Sequence, residues 1–191
     1  FPIPVRSVET WANGLADAID AGLTRAVGVS NYGVDRTRRT VEALGKRDKV
    51  LASNQVEYSL LNRSIERSGL VDLCRKMDIT IIAYSPMAKG LLSGKYTPDN
   101  PPPGTRGRRF NRAYLNKIQP LIELLREIGR AHGGKTSSQV ALNWCVCKGT
   151  VAIPGAKNVK QAQENAGALG WSLSADEISQ LDEMSDRVMD I

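Results

Sequence analysis

Apolar and polar positions along this chain switch between the period of a helix and that of a strand, and the switches set the expected elements. Val8, Trp11, Leu15, Ala18 and Ile19 recur at helical spacing behind Ser7, a good N-cap, and Gly22 ends the run. Residues 25–29 read as a short strand closed by Ser30-Asn31. Residues 35–46 predict a helix with Val41 and Leu44 inward and Arg36, Arg38 and Arg39 outward. Residues 51–58 predict a second strand. Residues 65–77 predict a helix on the stripe Ile65, Leu70, Leu73, Cys74 and Met77. Residues 79–84 are β-branched and uncharged, which predicts a strand buried on both faces. The three strand starts lie about 27 residues apart, the length of one strand-helix unit.

After Tyr84 the rhythm breaks. Ser85-Pro86 opens a loop that holds Lys89, Gly90, Gly94 and Lys95. The run from Asp99 through Pro101, Pro102 and Pro103 to Gly104 excludes helix and central strand, and Arg106, Arg108 and Arg109 continue it as exposed loop. Residues 113–131 predict a helix with Leu115, Ile118, Ile122, Leu125 and Ile128 inward, and Pro120 marks a kink or a fresh start. Thr136-Ser137-Ser138-Gln139 forms a capping box opening a helix through Ala141, Leu142 and Trp144. Residues 150–153 form a fourth strand, stopped by Pro154-Gly155. Asn158 caps another helix, and Ser174-Ala175-Asp176-Glu177 is a second capping box. The pattern is parallel α/β throughout, without linker or low-complexity tract, so residues 1–191 are expected to act as one domain.

Composition narrows the function classes. With 41% hydrophobic and 24% charged residues over 191 positions, the chain has the balance of a soluble globular protein. No apolar run reaches the length of a membrane span. The opening Phe1-Pro2-Ile3-Pro4-Val5-Arg6-Ser7 has no initiator Met, basic region or apolar core, so no targeting segment is expected within it. A net charge of +6 suits an anionic small ligand. A nucleic-acid module would rest on Arg106 to Arg109 alone, without interleaved aromatics, and is not expected. Cys74, Cys145 and Cys147 form no metal spacing and read as idle thiols of a reducing compartment. No metal is expected.

Four clusters fall at predicted strand ends, where an α/β protein builds its site. Gly28-Val29-Ser30-Asn31 offers Ser and Asn side chains, each both donor and acceptor, as an amide ligand needs. It is equally a routine turn and cap. Gln55 in Ser53-Asn54-Gln55-Val56-Glu57-Tyr58 would add a third such group, or be an ordinary strand polar residue. The Gly- and Lys-containing loop after Tyr84 puts backbone N–H groups and cations at a sheet edge, which suits phosphates or simply a solvated connection. Lys157 precedes a predicted helix N-terminus, another sound place for phosphate.

The wording of these clusters is more specific than their composition. Tyr84-Ser85-Pro86-Met87-Ala88-Lys89-Gly90-Leu91-Leu92-Ser93-Gly94-Lys95-Tyr96 resembles the seventh-strand cofactor loop of the aldo-keto reductases. Gly28 to Asn31 resembles that family's G-[VI]-S-N, and Asn54 to Tyr58 its N-Q-[VI]-x-[YF]. Ile153-Pro154-Gly155-Ala156-Lys157, with Gln161, Glu164 and Asn165, resembles its I-P-G-A-[KR]-x-x-x-Q-x-x-E-N. Four motifs in the family's order cover most of the chain, with wording nearest to plastid-associated plant and bacterial members.

The resemblance implies a (β/α)8 barrel, of which this chain is the C-terminal half, strands five to eight with their helices. It implies NADPH as cofactor. Ser30, Asn31 and Gln55 would hold the nicotinamide carboxamide, and Tyr84 would stack on the ring. Ser85, Pro86, Met87, Lys89, Gly90, Leu91 and Lys95 would line or cover the pyrophosphate. Gly155, Lys157, Gln161, Glu164 and Asn165 would hold the adenosine 2′-phosphate and adenine. The complete form would reduce aldehydes or ketones by hydride transfer, with a small carbonyl compound as substrate. The family's catalytic Asp, Tyr, Lys and His precede its fifth strand, and nothing here matches them, so this chain alone is expected to be inactive. His132, the one histidine, reads as serving a helix end. A redox-sensing regulatory subunit of the same fold is the alternative. An intracellular, soluble protein of cytoplasm or plastid is expected.

Overall fold

The structure, a computed structural model, describes residues 6–189. Its elements run α1 (Val8–Asp20), β1 (Val27–Ser30), α2 (Val34–Gly45), β2 (Leu51–Glu57), α3 (Ser64–Arg67), α4 (Leu70–Lys76) and β3 (Thr80–Tyr84). A 3-10 turn (Ala88–Ser93) follows, then α5 (Thr105–Arg109), α6 (Arg112–Ala131), α7 (Ser137–Cys147), β4 (Val151–Ile153), α8 (Val159–Ala166) and α9 (Ala175–Met189). The chain divides into two compact units. One holds residues 1–57 and 63–84, the other residues 58–62 and 85–191.

In the first unit β1, β2 and β3 pair in parallel, with Ser30 beside Gln55 and Glu57 beside Tyr84. Side chains alternate across the sheet. Val27, Asn54, Val56, Ile81 and Ala83 are buried on one face, while Ser30, Ser53, Gln55, Glu57, Ile82 and Tyr84 are only partly covered on the other. The strand at residues 79–84 is therefore not buried on both faces as its apolar run predicts. Its second face carries polar neighbours instead. A register irregularity follows Val27. A Cβ at Gly28 would collide with the Ser53 hydroxyl oxygen and stand 3.0 Å from the Ser53 carbonyl oxygen, so a side chain there would make Ser53 shift.

The helices of this unit depart from their predicted stripes in instructive ways. In α1 the buried positions are Val8, Ala12 and Ala16, and Trp11 is 46% exposed. Small side chains at four-residue spacing allow close packing, which the larger Trp11 would prevent. In α2 the buried positions are Thr37, Thr40, Ala43 and Leu44, and Val41 is only partly covered. Both threonines cap backbone carbonyls, Thr37 that of Tyr32 and Thr40 that of Arg36. The helix predicted over residues 65–77 is two, because Gly69 adopts φ +76° between α3 and α4. Met77 lies outside the helix and is 37% exposed.

The second unit is built around α7, whose residues Val140, Ala141, Leu142, Asn143, Trp144 and Cys145 are buried. The predicted capping box is present: the Gln139 backbone donates to the Thr136 hydroxyl, and the Thr136 backbone to the Gln139 side chain. Helix α6 runs unbroken through Pro120. A proline inside a helix costs about 3 kcal/mol. Fully burying Leu115, Ile118, Leu121, Ile122 and Leu125 contributes about 1.5–3 kcal/mol each, which outweighs it. Trp144 packs on Tyr58 with ring centroids 5.0 Å apart and donates from its indole to Asp182 of α9. The second capping box, Ser174 with Glu177, opens α9. Ser185 of α9 donates to the carbonyl of Leu60. Where the sequence predicts exposed loop throughout residues 97–109, Thr97 and Asn100 pair across a tight turn and α5 follows. Its Gly107 lies where a Cβ would meet the Pro102 carbonyl at 2.5 Å.

Candidate functional site

The first unit gathers polar side chains at the C-terminal ends of its three strands. Tyr84, the last residue of β3, donates its hydroxyl to Asn31 Oδ1 at 3.0 Å. The Asn31 amide donates to Ser30 Oγ at 3.2 Å, and Ser30 Oγ donates to the backbone carbonyl of Gln55 at 3.1 Å. Asn31 also donates its backbone N–H to that carbonyl at 2.9 Å. The geometry depends on Asn31 adopting φ +58°, which Asn tolerates better than other non-glycine residues. Ser30, Asn31, Gln55 and Tyr84 are all partly exposed. Burial, with the charge of Glu57 added, holds the Tyr84 phenol above its ordinary value against the opposing bond to Asn31. What this group offers is amide-like hydrogen bonding beside an aromatic ring.

Parity separates two neighbours that read alike in sequence. Gln55 projects from the partly covered face. Asn54 is fully buried on the other and donates to the Tyr32 carbonyl at 2.8 Å and the Thr37 hydroxyl at 3.2 Å. Asn54 thus anchors the start of α2 and presents nothing to a ligand.

In the second unit, the segment after Tyr84 is a succession of left-handed residues: Ser85 (φ +53°), Ala88 (+48°), Lys89 (+59°), Gly90 (+90°) and Gly94 (+72°). The loop closes on itself through its backbone: Ala88 donates to the Ser85 carbonyl at 2.8 Å, Gly90 and Leu92 to that of Met87 at 2.9 and 3.3 Å, and Gly94 to that of Leu91 at 3.3 Å. Lys89 and Lys95 are exposed, and the Lys95 ammonium lies 4.6 Å from the Tyr96 ring centroid. A Cβ at Gly90 would stand 3.4 Å from Lys95 Cε and Nζ, so the glycine leaves room for that side chain. Pro86 and Leu91 are buried and Met87 partly so. Leu91, at 2% exposed, therefore presents backbone and no side chain. Two residues beyond the predicted set hold this loop. Ser93 donates to the Gly90 carbonyl at 2.7 Å, and Arg126 of α6 to the Gly94 carbonyl at 3.1 Å. The Ser93-Gly94 pair is a turn signal that could have drawn attention to Ser93. Nothing local marks Arg126.

The last cluster surrounds the start of α8. The Asn158 side chain caps the helix at Gln161, and the Gln161 side chain accepts from the Lys157 backbone at 2.8 Å. Asn165 donates to the Gly155 carbonyl at 3.4 Å, and Glu164 accepts from the Thr136 hydroxyl at 3.1 Å. Gln161, Glu164 and Asn165 thus fasten the turn from Gly155 to Lys157 onto α8 and α7. Gly155 and Lys157 are exposed. His132 sits at the C-terminus of α6, against the Trp171 ring at 4.7 Å and hydrogen-bonded to Glu177 at 2.8 Å, as a helix-end residue. Burial pushes the thiols of Cys74 and Cys145 up, to about 11 and about 12, which makes them unreactive.

Taken separately, the neutral amide and hydroxyl groups beside an aromatic ring in the first unit suit an amide-bearing ligand, and the exposed lysines of the second suit phosphate. Comparison with known proteins gives this chemistry a context. A pyridoxal reductase of Arabidopsis chloroplasts is 43% identical over 179 residues, 94% of this chain and 48% of that protein. The L-glyceraldehyde 3-phosphate reductase of Escherichia coli K12 is 32% identical over 190 residues, covering 92% of this chain and 54% of its own. A thermostable aldo-keto reductase solved with the inhibitor epalrestat superposes with a TM-score of 0.72 at 30% identity, over 96% of this chain and 57% of that one. The fold is also that of the glycerol dehydrogenase of Gluconobacter oxydans, with a TM-score of 0.87 at 24% identity over 97% and 56% of the two chains. The chain thus spans about half the length of the curated relatives it matches. The family model for aldo/keto reductases matches residues 1–186. A match of that extent leaves one assignment, and the chain belongs to the aldo/keto reductase family.

Proposed function

We propose that this chain is the cofactor-binding, C-terminal half of an NADPH-dependent reductase whose complete form reduces a small aldehyde or ketone. The observation that carries the reading is the hydrogen-bonded series from Tyr84 through Asn31 and Ser30 to Gln55, which collects amide-compatible groups beside an aromatic ring. Ser30, Asn31 and the Gln55 side chain would hold the carboxamide, and the Tyr84 ring would fix the face of the nicotinamide. Lys89, Lys95 and the left-handed backbone from Ser85 to Gly90 would hold the pyrophosphate, and Lys157 the 2′-phosphate. The nicotinamide supplies the hydride when bound. What the residues of this chain would contribute is position and charge. The acid and its lysine would come from the preceding half of the complete protein. The relatives named for pyridoxal and glyceraldehyde phosphate support an aldehyde as the substrate.

Fluorescence titration of the complete protein with NADPH and NADH, in wild type and Lys157→Ala, tests the proposal. The expected result is preference for NADPH, reduced roughly 10- to 150-fold in the variant as one charge-assisted phosphate contact of about 1.5–3 kcal/mol is lost. An unchanged NADPH affinity would remove Lys157 from the site. Absence of NADPH binding by the wild type would overturn the proposal itself.

A further inference from the structure

The face of the sheet that carries Ser30, Gln55 and Tyr84 also carries a carboxylate. Glu57 ends β2 two residues after Gln55, so both side chains leave the same side of the strand. In the parallel register Glu57 stands beside Tyr84, just as Gln55 stands beside Ser30 on the other neighbouring strand. Glu57 is partly buried. Several other acidic side chains of this unit are engaged: Glu9 pairs with Arg39 at 2.8 Å, Asp20 with Lys49 at 2.7 Å and Glu66 with Arg63 at 2.6 Å. Among the described residues of the same unit, the Glu57 carboxylate has neither a hydrogen bond nor an ion pair. A partly covered carboxylate therefore faces the amide cluster with no ion-pair partner among the described residues of this unit. Its field reaches the cluster, because after burial it is the next cause holding the Tyr84 phenol above its ordinary value.

Resting on the nicotinamide reading above, we infer that Glu57 biases the site toward the oxidised form of its cofactor. The nicotinamide ring carries a positive charge when oxidised and none when reduced, whereas the phosphates, ribose and adenine are common to both forms. A fixed carboxylate near the ring therefore acts on one form only, and the common contacts cancel in the ratio of affinities. For unit charges separated by about 8 Å at an effective dielectric constant of about 20 to 40, Coulomb attraction corresponds to roughly 5- to 30-fold in such a ratio. The groups that hold the carboxamide fix where the ring lies. Glu57 sets which redox state is held more tightly.

The test is the ratio of dissociation constants for NADPH and NADP+ in the complete protein, by fluorescence titration and competition, for wild type, Glu57→Gln and Glu57→Asp. In Glu57→Gln the NADP+ affinity should fall roughly 5- to 30-fold while that for NADPH stays within about twofold. Glu57→Asp, which keeps the charge, should keep most of the wild-type ratio. Equal weakening of both nucleotides, or an unchanged ratio, would overturn the inference and leave the site reading intact. If the wild type binds neither nucleotide, the site reading falls and the inference falls with it. A second measurement needs no variant. The wild-type preference for NADP+ should shrink as salt rises, because the phosphate contributions cancel and only the ring's attraction to Glu57 is screened differentially. A ratio independent of salt and equal in Glu57→Gln would overturn it.

Discussion

Asn31 joins two requirements in one residue, and a pair of substitutions separates them. Its backbone lies at φ +58°, and its side chain bonds both Tyr84 and Ser30. Asn31→Gly keeps the backbone accessible and removes both side-chain bonds. Two partly exposed hydrogen bonds near the low end of about 0.5–1.5 kcal/mol each give a loss of about 1–2 kcal/mol. Greater freedom of the unfolded chain adds about 0.5 kcal/mol. Asn31→Ala loses the same bonds and keeps a Cβ in the left-handed region, at about 1–2 kcal/mol relative to glycine. The alanine variant should therefore be the less stable by about 0.5–1.5 kcal/mol, although alanine is ordinarily the more stabilising of the two. Urea denaturation followed by far-ultraviolet circular dichroism reads this as ordered midpoints at constant slope, with wild type highest, Asn31→Gly next and Asn31→Ala lowest. An alanine variant as stable as the glycine variant would show that the left-handed turn at residue 31 constrains nothing.

Two further outcomes follow from the second unit. Asn143 is fully buried, donates to the carbonyls of Ala168 and Trp171 and accepts from the Leu173 backbone, so Asn143→Leu should destabilise by about 2–5 kcal/mol, read as a lower urea midpoint. A loss below about 1 kcal/mol would mean that those backbone groups find other partners. The Glu177 carboxyl is held below its usual value: burial opposes this, but bonds from Ser174 and His132 prevail. Its stabilising contribution is present above the unfolded value near 4.5 and is lost as pH falls through the folded one. Glu177→Gln should accordingly show a smaller drop in Tm than wild type between about pH 6 and about pH 3. Parallel acid curves would discount the bonds from Ser174 and His132 as the source of that contribution.

Much of this arrangement is written locally in the chain. The boxes Thr136–Gln139 and Ser174–Glu177 are short-range chemistry, and the structure forms both. Strands β1 to β4 fall within a residue or two of their expected bounds, because short β-branched runs between helical stripes admit few alternatives. What was not legible depends on neighbours far along the chain. Trp11 looks like a core residue by spacing, yet Ala12 and Ala16 pack inward because small side chains suit that contact. Thr37 and Thr40 look like surface residues until their hydroxyls find the carbonyls of Tyr32 and Arg36. Around the candidate site, the motif words identified Ser30, Asn31, Gln55 and Tyr84 but not the bonds linking them. Those bonds cross 25 and 53 positions and need the strand register to exist. Arg126, on a helix 32 residues from the glycine it holds, has no signature in sequence at all.

The bond from Ser185 to Leu60 bears on how the chain is made. It joins positions 125 residues apart, and residues 58–62 belong to the second unit although they leave the ribosome between two pieces of the first. At about 5–20 residues per second, the peptide carrying Tyr58 and Leu60 emerges roughly 6 to 25 s before the helix it will bond to. Both side chains are fully buried at the end, so for that interval two large apolar groups wait without their final cover. Synthesis thus imposes an order. The strands that carry Ser30, Gln55 and Tyr84 can pair early, whereas the cover over Leu60 is completed only when α9 arrives, which makes that interval the period in which a nascent-chain chaperone would have most to hold.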